Sequence, residues 1–238
     1  MENDFSQKNL PLIPIDNETL KEAFNTHFPS PIIQQDPHLS NAEKITLIAE
    51  KFRGIMEILG LDLTDDSLKN TPNRVAKMYV EEIFSGLDPA TFPEVSFFED
   101  RFQHGQRSGM VFVKVHFCSF CEHHFVPMSG TACIAYVPNG KLIGLSKIPR
   151  LVRFFARRPQ VQERLTAQIA DALSILTGSK DVAASLRAEH QCMIARGIES
   201  ENSHVITNIL RGGFETEGNL RKEFFDSLKN ERSNSSFD

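Results

Sequence analysis

Ile45, Ile48, Phe52, Ile55 and Leu59 follow one another at steps of three and four residues. Those steps put all five on one stripe of an α-helix. The pattern predicts a helix that starts after Ser40 or Asn41 and stops at Gly60, a residue suited to the left-handed end of a helix. A second helix is predicted from Thr71-Pro72, a hydroxyl cap followed by a ring already set at helical φ. It carries Val75, Met78, Tyr79 and Ile83 and ends near Gly86. The period then falls to two. Val111, Val113, Val115 and Phe117 alternate with Met110, Phe112, Lys114 and His116, which is strand spacing. Residues 131–137 predict another strand, closed by Pro138-Asn139-Gly140. Helices are expected over 149–158 and 160–177. The second buries Val161, Leu165, Ile169, Leu173 and Leu176 and stops at Gly178. Residues 181–193 alternate again, with Val182, Ala184, Leu186 and Ala188 on one face. A fourth strand is expected over 204–210 and a last helix over 217–228. The order strand, strand, helix, helix, strand, strand after helical preliminaries predicts an α+β fold with antiparallel hairpins.

Pro11, Pro14, Pro29, Pro31 and Pro37 break any long element near the start. A proline-rich arm is expected over 1–39, with one short helix around 18–27. The domain proper is expected over 40–230, its helical part at 40–90 and its sheet and catalytic part at 100–230. The polar residues 231–238 are expected to be disordered.

Charge narrows the partners. The chain of 238 residues carries 26 Lys and Arg against 31 Asp and Glu, a net −5. A mildly anionic molecule is a poor general binder of nucleic acid or acidic membrane. No apolar run approaches the roughly 20 residues of a membrane helix. The opening MENDFSQKNL lacks the cationic-then-apolar order of a secretion signal, so a cytoplasmic location is expected. Cys118, Cys121, Cys133 and Cys192 are too few to staple a chain of this length, and reduced thiols or metal ligands fit better.

The densest chemistry lies in Cys121-Glu122-His123-His124. A turn can bring the Cys121 thiolate and the His124 imidazole onto one ion, and zinc accepts both. Cys192 supplies a third soft ligand from a predicted strand. Three protein ligands leave a fourth position for water, the pattern of a catalytic site. His190, two residues before Cys192 on that strand, would face the same side, and His123 adjoins a ligand. Cys118-x-x-Cys121 leaves two rival readings open, a redox dithiol and a closed structural site that uses Cys118.

Residues 141–158 hold Lys141, Lys147, Arg150, Arg153, Arg157 and Arg158 with no acidic residue. Arg150, Arg153 and Arg157 share a helix face opposite Leu151, Phe154 and Phe155. Ser146-Lys147 stands at the start of that helix, where orphan amides attract phosphate. Arg74, Lys77 and Arg196 extend the set. A polyphosphate suits it better than nucleic acid, because no aromatic stacking pattern accompanies the charges. Gln162 and Glu163 open the next helix, where an acidic residue is ordinary.

Together these segments resemble GTP cyclohydrolase I. The matching stretches are Cys121-Glu122-His123-His124-Phe125, Gly144-Leu145-Ser146-Lys147, the run from Arg157 through Gln162 and Glu163 to Leu165, and His190-Gln191-Cys192-Met193-Ile194-Ala195-Arg196-Gly197. Thr71-Pro72-Asn73-Arg74-Val75-Ala76-Lys77-Met78 matches upstream. The resemblance covers residues 40–230. It implies the tunnelling fold: an antiparallel sheet with two helices on one side, N-terminal helices added, and subunits joined into a barrel. A homodecamer with active sites at subunit interfaces is implied. The implied reaction opens GTP at carbon 8, releases formate, and closes 7,8-dihydroneopterin triphosphate. By position, Cys121, His124 and Cys192 are the implied Zn2+ ligands, and His123 and His190 the acid–base residues. Glu163 with Gln162 would read the guanine edge, while Ser146, Lys147, Arg150 and Arg196 would hold the triphosphate and sugar. Arg74 and Lys77 would reach a neighbouring subunit's phosphate. A carboxylate facing guanine's adjacent N–H groups accepts two hydrogen bonds that adenine cannot offer.

One stretch departs from the family. Its strand after Gly197 is usually rich in Ser and Thr, whereas Val205 and Ile209 here are branched and apolar. Two other readings stay open: another pterin or deazapurine enzyme of the same fold, and a ring-forming protein that binds GTP or a pterin without turnover.

Overall fold

The computed structural model describes residues 31, 39–100, 109–200 and 203–233, with side chains to 229. The helix expected over 18–27 lies outside the described residues. Helix α1 (Asn41–Ile58) begins at Ser40, whose hydroxyl accepts from the Glu43 amide while the Glu43 carboxylate accepts from the Ser40 amide. This reciprocal cap satisfies two amides that the first turn leaves without partners. Gly60 follows at φ 76°, as its position implied. Helix α2 (Thr71–Lys77) differs from expectation at its start. Asn70 is the cap, without a side-chain bond, and Thr71 is already helical. Past Lys77 the helix widens into a π-turn, Met78–Ile83, and short 3-10 turns follow to Thr91.

The remaining strands are β1 (Phe97–Glu99), β2 (Val111–Cys121), β3 (Pro127–Tyr136), β4 (Lys141–Ile143), β5 (Pro159–Gln160), β6 (Val182–His190) and β7 (Val205–Leu210). Among them run α3 (Lys147–Ala156), α4 (Gln162–Thr177), α5 (Gln191–Ile194), α6 (Gly213–Thr216) and α7 (Gly218–Ser233). One sheet has the order β5-β2-β3-β6-β7; β1 pairs with β4 in a second. The β2–β3, β3–β6 and β6–β7 ladders are antiparallel, and β2–β5 is parallel. The class is α+β, as expected. β1, β4 and β5 were not foreseen, since two or three residues carry no readable period.

Alternation decides which face is buried. Val115, Phe117, Ala132, Ile134, Ala184 and Leu186 point to one side of the sheet, where Leu151, Val152, Phe155, Leu165, Ile169 and Leu173 of α3 and α4 cover them. On the opposite side, among the described residues, Phe214 and Phe224 cover one end by packing on Ala135, Val137 and Ala183. Helix α7 carries Phe224 and runs to Ser233, into the stretch expected to be disordered. Gly130 on β3 faces Ala188 on β6 with no room for a side chain. A Cβ there would stand 1.9 Å from the Arg187 carbonyl oxygen, so a side chain would push apart the strands that place the site. Among the described residues no helix is long and apolar enough to cross a membrane.

Candidate metal and substrate site

The site begins where β2 ends. The Cys121 amide donates to the Val126 carbonyl (2.9 Å), and the Phe125 amide to the Cys121 carbonyl (2.8 Å). Those bonds close a tight turn over 121–126. Phe125 adopts φ 56°, an uncommon conformation for a bulky residue. Its ring packs on Phe84 (5.2 Å) and Tyr79 (6.4 Å), which holds the turn against the end of the α2 segment.

Cys192 reaches this turn by a different route from the one expected. The alternation over 181–193 suggests one strand, but β6 stops at His190. Its last partner on β3 is Met128, and the next residue, Pro127, has no N–H to extend the ladder. The chain enters the helical turn α5, and Cys192 is placed by that turn rather than by a strand face. Ligand atoms of Cys121, His124 and Cys192 lie within 4.8 Å of one another, an arrangement able to hold a metal ion. Cys121 is buried, Cys192 half-buried and His124 exposed, so the cluster has a closed side and an open one. His124 Nδ1 is 3.9 Å from the Cys121 sulfur. Burial, with the Cys121 sulfur beside it, raises the Cys192 thiol pKa, and nearby Arg196 partly offsets the rise. A metal must therefore displace a proton to bind there. Cys118 is exposed on β2. Three residues from Cys121 on one strand, it faces the other side of the sheet. Both the redox dithiol and the closed site with Cys118 fail on that geometry.

His190 meets the start of α4. Gln162 is 1% exposed, and its amide N–H groups are shared among the Leu186 carbonyl (3.0 Å), the Val205 carbonyl (3.1 Å) and the Thr207 hydroxyl (3.1 Å). That leaves Gln162 Oε1 as the acceptor for His190 Nε2 at 2.8 Å, so Nε2 carries a proton. The Gln162 side chain, expected at a base edge, is instead turned inward on His190. Burial lowers the His190 pKa, and Glu163 acts in the opposite direction. Glu163 is exposed in the single chain. Thr207 also bonds Thr166 (2.6 Å), while Ile209 packs on the core. The apolar departures at Val205 and Ile209 thus leave the Gln162–His190 contact whole.

The cationic residues fall into different surroundings. Ser146 occupies the cap position of α3 without a side-chain cap bond. Arg150 and Arg153 are exposed. Arg153 and Arg157 line a cavity of about 590 Å³ with Glu82, His116 and Cys118 along the outer edge of β2. Arg158 is 2% exposed, with its guanidinium 4.6 Å and 5.1 Å from the Phe154 and Phe155 ring centres and its Nε on the Gly86 carbonyl (2.7 Å). Burial, then the nearby Arg164 charge, pushes its pKa down to about 10. Arg158 therefore belongs to the core and leaves the expected anion set. Arg196 lies on the metal cluster, its Nη1 2.6 Å from His124 Nε2. Among the described residues, no hydrogen bond or ion pair joins Ser146, Lys147, Arg150, Arg74 or Lys77 to that cluster.

Sequence reasoning passed over one pair. Arg164 forms an ion pair with Glu122, between the ligand Cys121 and His123. Its only sequence signal is a place on α4 four residues after Gln160, whose Oε1 it bonds at 3.0 Å.

The sequence model of the GTP cyclohydrolase I family matches residues 48–229. GTP cyclohydrolase 1 of Aeromonas salmonicida (strain A449) is 53% identical over 192 residues, 80% of this chain and 87% of that protein. The Vibrio cholerae serotype O1 protein of the same name is 51% identical over 195 residues, 81% of this chain and 88% of its own. That of Salmonella arizonae is 48% identical over 192 residues, 80% and 85% of the two chains.

Proposed function

Because the chain belongs to the GTP cyclohydrolase I family, we propose that it converts GTP to 7,8-dihydroneopterin triphosphate and formate, an entry step of pterin and tetrahydrofolate synthesis. The observation that carries the mechanism is the cluster of Cys121, His124 and Cys192, with His190 two residues before Cys192 in the chain and Glu163 near enough to His190 to act on its charge. Two thiols and one imidazole suit zinc, and the exposed side fits three protein ligands with a fourth position open. When bound, zinc supplies Lewis acidity and brings the pKa of water to about 7.

The chain's own residues do the rest. His190 holds Nε2–H on Gln162 and keeps Nδ1 for proton exchange with the substrate. His123, exposed beside the ligands, is the second acid–base group. One protonates the imidazole ring of guanine as it opens; the other moves protons during the sugar rearrangement. The Glu163 carboxylate accepts guanine's ring and exocyclic N–H groups, and the Gln162 backbone amide at the start of α4 is available to the carbonyl oxygen. Ser146, Lys147, Arg150 and Arg196 hold the triphosphate and sugar.

The working molecule is a homo-oligomer, a decamer in the family's manner, with Arg74 and Lys77 reaching a neighbour's substrate. Supporting this, among the described residues β7 and the part of β2 before Phe120 have no strand on their outer side, and no hydrogen bond or ion pair joins Ser146, Lys147, Arg150, Arg74 or Lys77 to the metal cluster. Reduced thiols fit a cytoplasmic location. The test is incubation of purified, zinc-loaded protein with GTP. Formate and a fluorescent oxidised pterin in equal amounts are expected. GTP recovered unchanged would favour a binding protein of the same fold.

A further inference from the structure

Glu122 sits in the metal turn with a carboxylate free to point into water, yet it folds back into the protein. Its side chain is 23% exposed, and that of Arg164, its partner, 20%. Arg164 is fixed from three sides: Nη2 bonds Glu122 Oε2 and the Pro159 carbonyl (3.2 Å), and Nε bonds Gln160 Oε1 (3.0 Å). Gln160 is fixed in turn, its Nε2 on the Phe155 carbonyl (2.9 Å) and on Gln168 Oε1 (2.8 Å). The Glu122 backbone amide donates to the Gln160 carbonyl (3.0 Å). Backbone and side chain of one residue are thus both tied to the β5–α4 junction. The other carboxylate oxygen, Oε1, stands 3.9 Å from His123 Nε2. The planar guanidinium can serve a carboxylate and carbonyls at once, which a lysine cannot do in the same geometry.

We propose that Arg164 and Glu122 are a pair of positioning residues. They hold the Cys121–His124 turn in its metal-binding shape and set its distance from the base-reading start of α4, where Arg164 directly follows Glu163. This rests on the reading of Cys121, His124 and Cys192 as metal ligands. Supporting residues of this kind typically change metal affinity or activity by about 10–100-fold. A half-buried pair that loses one member leaves the other charge uncompensated, so the two deletions should not add.

The experiment uses the full-length assembled protein, stripped of metal and titrated with cobalt(II), whose visible bands report ligand geometry. Zinc affinity is measured against a chromophoric chelator, and GTP turnover in parallel. In Arg164→Met, metal affinity and kcat should each fall about 10–100-fold. The cobalt bands should shift, and KM for GTP should stay within about twofold because no group on the substrate is removed. Glu122→Gln, nearly identical in shape, should move the same readouts and decides the matter if Arg164→Met does not fold. The double variant should be no worse than the worse single one, and Arg164→Lys should recover part of the loss. Wild-type cobalt bands, zinc affinity and kcat in Glu122→Gln would overturn the proposal, as would fully additive losses in the double variant. Wild-type protein that binds no cobalt would instead remove the metal reading itself.

Discussion

At the end of β2, three donor groups from two distant segments already lie within 4.8 Å of one another. At the start of α3, Ser146, Lys147 and Arg150 have no side-chain hydrogen bond or ion pair among the described residues, to that cluster or to anything else. Charge explains the contrast. Thiols and a neutral imidazole can sit together before a metal arrives, because their protons leave only as it binds. Guanidinium and ammonium groups stay charged. Gathering several around an empty space costs Coulomb repulsion of about 1 kcal/mol per pair at 4 Å even in water, and more in a protein. On the function proposed above, a site for a highly charged anion is more cheaply left divided until the anion itself arrives. Metal-end substitutions should therefore act on metal and chemistry, and anion-end substitutions on GTP binding alone.

The largest effect is expected at the ligands. Cys192→Ser should take zinc from about one per chain to background and turnover below the ~100-fold loss typical of a supporting residue. Metal analysis showing full zinc in that variant would break the contrast at its first term. His190→Ala should keep zinc, since its ring is held by Gln162, yet lose about 10²–10⁴-fold in pterin formation. Chromatography should reveal a ring-opened formamide in its place. Wild-type pterin rates in both His190→Ala and His123→Ala would remove these rings from the mechanism.

Glu163→Ala belongs between the two ends. Loss of charged hydrogen bonds to guanine should reduce kcat/KM for GTP by about 2–5 kcal/mol with fold and zinc intact. A near-normal specificity constant would return Glu163 to an ordinary helix-start acid. Arg150→Ala should raise KM for GTP about tenfold, near the ~1.5 kcal/mol of one charge-assisted hydrogen bond, and leave metal content alone. A zinc loss in that variant would show that the two ends are coupled. Cys118→Ser should change neither metal nor turnover beyond about twofold, because Cys118 faces the far side of the sheet from Cys121. Zinc loss in this variant, measured by metal analysis, would revive the closed-site reading.

The alternations along β2, β3 and β6, the stripes of α1 and α4 and the caps at Ser40 and Gly60 were legible in the chain alone. Each is a contest settled within a few residues: burial of every second or every third-and-fourth side chain, or an amide and a hydroxyl one turn apart. The spacing of Cys121 and His124 was legible for the same reason. Where β6 ends was not legible. Residues 181–193 alternate throughout, but Pro127 on β3 denies the ladder its next bond and turns Cys192 into a helix. Nor could spacing show that Arg158 would be sealed under Phe154 and Phe155, that Gln162 would turn inward to His190, or that Glu122 would meet Arg164 forty-two residues on. A polar side chain's role depends on which partner the strand register brings within 3 Å. Register is decided by the burial of the whole sheet, whose core cluster spans Val95 to Ala188. Local periodicity determined the elements of this protein and the spacing of its Cys and His donors; tertiary packing decided which polar groups turn inward to hold others in place and which stay open to water.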